Sequence, residues 1–487
     1  MRKLRAALSA LLCLALCVSL SAAAFASGEA FVASNEAAAS IDYGFAGNAS
    51  TLTAQGSLNL GNEDCLVENA IITGVNGSAI QNAGSADLVV RDSVILGVST
   101  AQTQPLAGNP GNLLVAGDVR ATLALSQAHS FYINSTIIAT NWAALSTDGA
   151  VPVTEDGQSE LSLYAYGSAA DTYAGGYGAY SDLFCNLYAY GSQIAAGEIG
   201  IISGTYGRVV VGTIADGEAD EVMAAHLTAA DMDAHADKTL GSVIAGGRNA
   251  IMIHSVNLPP YWEYDGYSQE ELPLYSTPVT VSGSTLKTDL SLDRDVAYDA
   301  QKQAYIDHTA GSVILIKSTN ADISLTASEI IPAEGGTGAI VHTVYNNDTM
   351  FMNAVPDGEQ YPGISLSMAD MTVTGDIIHE DYQRDMTVTL SAASLTGAIN
   401  AYDCDHWNAV AAAEGFDDYA LDASYSTPHG VSLVLESGAS WTVTAESTLM
   451  SLTIGEGCTV SGVMTVNGVK TELVPGTYTG SIELIPA

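Results

Sequence analysis

A short phrase returns along this chain: Asn, Asp, Gly or Ala, then a small residue, then any residue, then Ile or Leu. It reads Asn69-Ala70-Ile71-Ile72, Asp92-Ser93-Val94-Ile95, Asn134-Ser135-Thr136-Ile137, Gly191-Ser192-Gln193-Ile194, Gly283-Ser284-Thr285-Leu286 and Ala327-Ser328-Glu329-Ile330. Successive copies begin 23, 42, 57, 92 and 44 residues apart, and four of those five intervals lie near multiples of 22. A period of that size marks a stacked-repeat chain, because one repeat cannot bury its apolar face alone and needs a neighbour.

Around each copy apolar and polar residues alternate, as in Leu88-Val89-Val90-Arg91 and Ile323-Ser324-Leu325-Thr326, which suits short strands with one buried face. The Asn, Asp or Gly takes the backbone angles of a sharp bend, and the small residue after it lets the next coil approach closely. Each coil then lays its strands beside those of its neighbours. Asn and Ser at the same bend in several coils are placed to hydrogen-bond in a ladder.

With these features the chain resembles the right-handed parallel β-helix proteins, the pectin-lyase-like superfamily, over about residues 60–470. The run containing Leu433, Leu435, Gly438, Ala439, Trp441, Val443, Thr444, Ser447, Leu449, Leu452 and Ile454 is similar to the late coils of autotransporter passenger domains and related surface adhesins. The resemblance implies an all-β fold, a single-stranded right-handed parallel β-helix, which is a solenoid with loop excursions. The expected order is a secretory signal peptide at 1–26, an N-terminal cap or irregular first coil at 27–60, coils over 61–470 and a capping strand at 471–487. Insertions are expected near 159–192, 216–238, 258–278 and 401–428, where the phrase is interrupted. The first of these is rich in Tyr, Gly and Ala.

The leader is read from Arg2, Lys3 and Arg5, an apolar run to Ala24, and the small-x-small site Ala24-Phe25-Ala26. No later stretch is long and apolar enough to span a bilayer, and the expected destination is secretion, either free or with non-covalent retention at the cell surface. Removing the leader leaves 11 basic against 54 acidic residues, a formal charge of −43. Such a surface repels nucleic acid and anionic lipid. The plain reading of the charge is solubility; the sharper one is divalent-cation binding. No motif requires a cofactor, and calcium is the ion to which the acidic composition points. Cys65, Cys185, Cys404 and Cys458 remain after the leader, widely spaced, and are read as buried thiols rather than disulfides or zinc ligands.

Function on a repeat fold resides in its insertions, since the coils are occupied with packing. The richest is the 258–278 segment. There Tyr261, Trp262, Tyr264 and Tyr267 offer flat faces for sugar rings, and Glu263 and Asp265 offer acceptors for hydroxyls. A glycan or a surface protein is the expected partner. The alternating carboxylates Asp231, Asp233 and Asp237 would share one face of a strand, or surround calcium in a loop, although Ala236 and Ser242 break the EF-hand pattern. His379, Glu380, Asp381, Arg384 and Asp385 read as a polar bend, and His129, His254 and His342 as residues satisfied locally.

The first functional expectation is an adhesin-like binding protein, leaning away from catalysis. A polysaccharide lyase or glycoside hydrolase on the same scaffold is the alternative, and a structural or assembly protein the third. A glycosidase needs two carboxylates at a set distance, one held protonated, and no pair among so many acids stands out.

Overall fold

The computed structural model describes residues 53–55, 57–84, 87–98, 119–140, 142–148, 161–172, 176–204, 206–254, 276–292, 309–344, 362–381, 384–401 and 430–487. The leader, most of the expected cap, Tyr261 to Tyr267, Cys404 and residues 402–428 lie outside the described residues. Among the described residues no helix is long and apolar enough to cross a membrane.

Thr53–Gln55, Leu58–Leu60 and Cys65–Glu68 each begin a different parallel sheet. Each later strand up to Glu329–Ile331 pairs with the strand three before it, so the chain visits the three sheets in rotation. Parallel neighbours need a connection of a dozen residues or more. Here the two intervening strands of every turn provide it. The described sheets contain nine, eleven and fifteen strands, and a fourth sheet of four strands begins at Thr372–Thr374.

Register shows what the phrase does. Its last residue forms one continuous row, Ile72, Ile95, Ile137, Ala170, Ile194, Ile244, Leu286 and Ile330, each paired with the next across the first sheet. All eight are buried in one apolar cluster that also takes Ile80, Leu145, Ile201, Ile251 and Ile316 from the second sheet and Leu88, Leu163, Leu187, Val279 and Leu366 from the third. The core is thus shared by all three sheets. Truncating one of its Ile or Leu residues to Ala costs about 2–5 kcal/mol.

Two phrase copies, Gly167-Ser168-Ala169-Ala170 and Gly241-Ser242-Val243-Ile244, lie in the long intervals, so Ala170 and Ile244 complete the row. In the copies other than Gly241-Ser242 the residue before the small one sits in the left-handed region, as with Asp92 at φ 49°, Asn134 at 50°, Gly167 at 57°, Gly191 at 54°, Gly283 at 51° and Ala327 at 48°. That bend brings the serines into a ladder. The backbone N–H of Ala70 donates to Ser93 Oγ at 3.1 Å, that of Ser93 to Ser135 at 3.2 Å, that of Ser135 to Ser168 at 3.1 Å, and that of Ser168 to Ser192 at 3.1 Å. It continues from Ser192 to Ser242 at 3.0 Å, from Ser242 to Ser284 at 3.1 Å, and from Ser284 to Ser328 at 3.3 Å. Met371 and Ala393 stand where the next serines would be, and there the first sheet gives way to the fourth.

Two expected insertions differ. The described part of 159–192 is regular strand, in which Tyr164 and Tyr166 pair with Tyr188 and Tyr190 as two tyrosine columns. The interval seemed long because Gly167-Ser168 ends in Ala170 rather than Ile or Leu. Residues 214–233 are helical, formed by α1 (Ile214–Ala219), α2 (Glu221–Ala224) and α3 (Ala229–Asp233). At the other end the strand Gly476–Ile485 runs antiparallel to Ser447–Ile454, and the hairpin of Val463–Val466 with Val469–Thr471 follows beside it. Cys65 and Cys458 are free thiols. Cys185 is wholly buried, donates to Leu183 O at 3.3 Å, and has its pKa raised well above the usual thiol value by burial.

Candidate functional site

The outer face of the third sheet carries an aromatic file. Phe131 stacks on Tyr164 at 4.8 Å between centroids, and Tyr164 on Tyr188 at 4.4 Å. Register across the parallel strands puts these residues in one row. The helical segment lies on this face: His226 stacks on Phe131 at 3.8 Å, and Ile214 and Met223 join Phe131, Tyr166 and Tyr190 in a buried cluster.

Local sequence explains the helices. Thr213 and Asp216 form a capping box at the start of α1, and Thr228 and Asp231 form one at the start of α3. Asp220 caps α2 by accepting from the N–H groups of Val222 and Met223. The acids that terminate helices also fasten them. Tyr190 Oη donates to Asp220 at 2.6 Å, and Tyr166 Oη donates to Glu218 at 3.0 Å, with Lys238 on the same Glu218 oxygen. Burial and the adjoining carboxylate raise both tyrosine pKa values.

This accounts for the expected cation ligands. Asp231, only 1% exposed, accepts from the Thr228 N–H and hydroxyl at 2.7 Å each and lies 2.9 Å from Arg91 Nε. Arg91 also contacts Glu68 Oε1 at 2.8 Å and donates to the His226 carbonyl at 2.9 Å. Asp233 ends α3, and exposed Asp237 accepts from the Thr239 N–H and hydroxyl. The alternate spacing falls on a helix and a following turn, so the three carboxylates do not share the strand face that the spacing predicted. Among the described residues no group of three His, Cys, Asp or Glu side chains is arranged to hold a metal ion.

A second polar region lies at the C-terminal ends of the second-sheet strands. His342 Nε2 is 3.0 Å from Glu380 Oε2. His379 Nδ1 lies 2.6 Å from Thr343 Oγ1, and its Nε2 lies 2.8 Å from the Arg384 carbonyl. A carbonyl can only accept, so Nε2 of His379 holds the proton and Nδ1 accepts from Thr343. Arg384 donates to Asn320 Oδ1 and to Asp381 Oδ2, both at 2.9 Å. His342, His379, Glu380, Asp381 and Arg384 are all buried, as is Lys317. The expected polar bend is thus buried and packed at His379, Glu380, Asp381 and Arg384, with Asp385 exposed.

This end of the second sheet is also where long connections depart. The segments after Asp148, His254, Val344 and Ala401 run 13, 22, 19 and 29 residues before the next third-sheet strand, whereas the other turns at this junction use three to five. Tyr261, Trp262, Glu263, Tyr264, Asp265 and Tyr267 belong to the connection between His254 and Thr277, outside the described residues. The sequence signal missed for the helical segment was the pair Thr213-x-x-Asp216 and Thr228-x-x-Asp231. For the polar network the signal was the cluster His379, Glu380, Asp381 and Arg384, whereas Asn320, His342 and Thr343 join it from turns distant in sequence. The chain matches no protein-family model, no curated protein and no solved structure.

Proposed function

We propose that the chain is a secreted, single-stranded right-handed parallel β-helix of the pectin-lyase-like kind, acting at or near the cell surface as an adhesin-like binding protein. The observation that carries the reading is the clustering of four long connections at one junction of the stack, after Asp148, His254, Val344 and Ala401. Their parent strands are the fourth, seventh, ninth and eleventh of the second sheet. At roughly 4.8 Å per strand, these four departure points span about 34 Å. That is the scale of an extended oligosaccharide or of one protein contact. Tyr261, Trp262, Tyr264 and Tyr267 supply the stacking faces, with Glu263 and Asp265 as acceptors, and calcium is the ion whose contribution is to be tested.

A glycan and matrix-protein array on the leader-free chain, run with calcium and with chelator, tests this. Retained glycan or matrix binding that W262A and Y264A abolish without changing thermal stability is the expected result. New reducing ends or unsaturated uronate absorbance on the bound glycans would overturn it in favour of a carbohydrate-active enzyme.

A further inference from the structure

Ser312 lies at the entrance to the second-sheet strand Ile314–Lys317 and is wholly buried. Its Oγ is 3.3 Å from His342 Nδ1, and the other ring nitrogen is 3.0 Å from Glu380 Oε2. A carboxylate can only accept, so Nε2 holds the proton and the Nδ1 lone pair faces the serine. Thr337 Oγ1, 2.8 Å from the same serine oxygen, accepts from the Ala339 N–H at 3.3 Å and is free to donate to Ser312. That leaves the Ser312 proton directed at His342. The arrangement is nucleophile, base and orienting acid.

The carbonyl next to this hydroxyl is held as well. Gly311 O accepts from Thr288 Oγ1 at 2.9 Å and, at 3.3 Å, from the Ala333 N–H, which it shares with Thr288 Oγ1 at 2.9 Å. Two donors on one carbonyl oxygen are what a tetrahedral oxyanion needs. Asn249 Nδ2 bridges the bond, donating to Thr309 O at 3.2 Å and to Ser312 O at 2.9 Å, and Arg248 O accepts from the Gly311 N–H at 2.8 Å. Gly311 has φ +93°, and a Cβ there would meet Gly336 Cα at 2.6 Å, so only glycine fits before the serine.

We propose that this site cleaves its own chain between Gly311 and Ser312 by an N-to-O acyl shift followed by hydrolysis. His342 Nδ1 takes the Ser312 hydroxyl proton while Oγ attacks the Gly311 carbonyl carbon, and the oxyanion rests on Thr288 and Ala333. The carbon–nitrogen bond then breaks as the imidazolium returns the proton to the leaving nitrogen. The product is an ester joining Gly311 to Ser312 Oγ, with a free α-amine on Ser312. Water hydrolyses that ester to a Gly311 carboxylic acid and the original serine hydroxyl. No oxidant, metal or cofactor enters the balance; burial of Ser312 is no obstacle to the acyl shift because the attacked carbonyl belongs to the preceding residue, and hydrolysis is the step that waits on entry of water or hydroxylamine. The products stay paired, since Ile314–Lys317 remains bonded between Asn249–His254 and Ala339–Val344.

The test uses the full chain, purified at acidic pH and moved to pH 8 with or without neutral hydroxylamine, and followed by intact mass. Expected are a fragment of 176 residues beginning at Ser312 and, with hydroxylamine, faster cleavage with a hydroxamate on Gly311. S312A abolishes both fragments and S312C retains them. H342Q slows the reaction at least 10²-fold, and T288V slows it by about 10²–10³-fold. Glu380 is a positioning residue: E380Q shifts the pH profile of cleavage and E380D restores it. A folded wild-type chain that stays intact with hydroxylamine, or S312A cleaving at the wild-type rate, overturns the proposal. Circular dichroism on every variant separates lost chemistry from lost fold.

Discussion

Replacing Ser192 with Ala removes one rung of the serine ladder and almost nothing else. Ser192 is fully buried, and its Oγ accepts from the Ser168 N–H at 3.1 Å and donates to the Tyr190 carbonyl at 3.0 Å. In the variant that carbonyl keeps the Gly167 N–H at 2.9 Å, and the Ser192 N–H keeps Ser242 Oγ at 3.0 Å. The one group left unpaired is the Ser168 N–H, a buried donor with no route to water. Such a loss costs about 1–3 kcal/mol, equivalent to roughly 5- to 150-fold in an opening equilibrium. Amide hydrogen exchange reads it directly: the Ser168 amide should exchange faster by that factor, while the Ser93 amide, two rungs away, changes little. Exposed Ser461 provides the control, and S461A should lie within about 0.5 kcal/mol of wild type. Exchange at Ser168 within twofold of wild type would refute the ladder as an energetic element.

Other consequences are open to measurement. Ala327, exposed at φ +48°, has a Cβ that costs about 1–2 kcal/mol in that conformation, so A327G should stabilise by about 0.5–1 kcal/mol after the unfolded-state entropy of glycine is subtracted, read as a higher urea midpoint. D231A removes the buried carboxylate beside Arg91 Nε, leaving half-exposed Glu68 as the guanidinium's remaining acid, and should weaken docking of the helical segment by about 1–3 kcal/mol, seen as protease cleavage within 214–240. Burial, with Lys238 adding to it, lowers the pKa of His235 below its usual value, and its Nε2 meets Asn134 Oδ1 at 2.6 Å. A depressed histidine pKa stabilises the folded state above the unfolded value near 6.5, and that contribution is lost as pH falls through it. Protection factors in 229–240, with the intrinsic pH dependence of exchange divided out, should therefore fall on acidification below about pH 6.5, and H235Q should flatten that dependence.

Much of the architecture is legible in the phrase itself. Asp92, Asn134 and Gly191 take the bend angles that their chemistry allows, and Ser93, Ser135 and Ser192 form the ladder that their position permits. Two copies depart from the pattern in residue or in spacing: Ala170 replaces the bulky residue after Gly167-Ser168, and a connection carrying three short helices within 214–233 precedes Gly241-Ser242. The helices hid because Ile214–Ala219, Glu221–Ala224 and Ala229–Asp233 are too short to show a 3.6-residue period, leaving only their caps as a signal. Asp231, Asp233 and Asp237 misled for the same reason, since alternation implies a shared face only in a strand. Ser312, Thr288, His342 and Glu380 were illegible together. They come from three successive turns, Thr288 and Ser312 sharing one across a long connection, and the stacking of turns brings His342 and Glu380 within hydrogen-bond reach.

A crystal structure of the chain, phased without a search model and traced through the serine-bearing turns, tests the central claim most directly. The account predicts one right-handed coil with Ser93, Ser135, Ser168, Ser192, Ser242, Ser284 and Ser328 in a single row, each hydroxyl accepting from the backbone one turn earlier. A left-handed coil, or serines distributed over different faces of separate sheets, would contradict it.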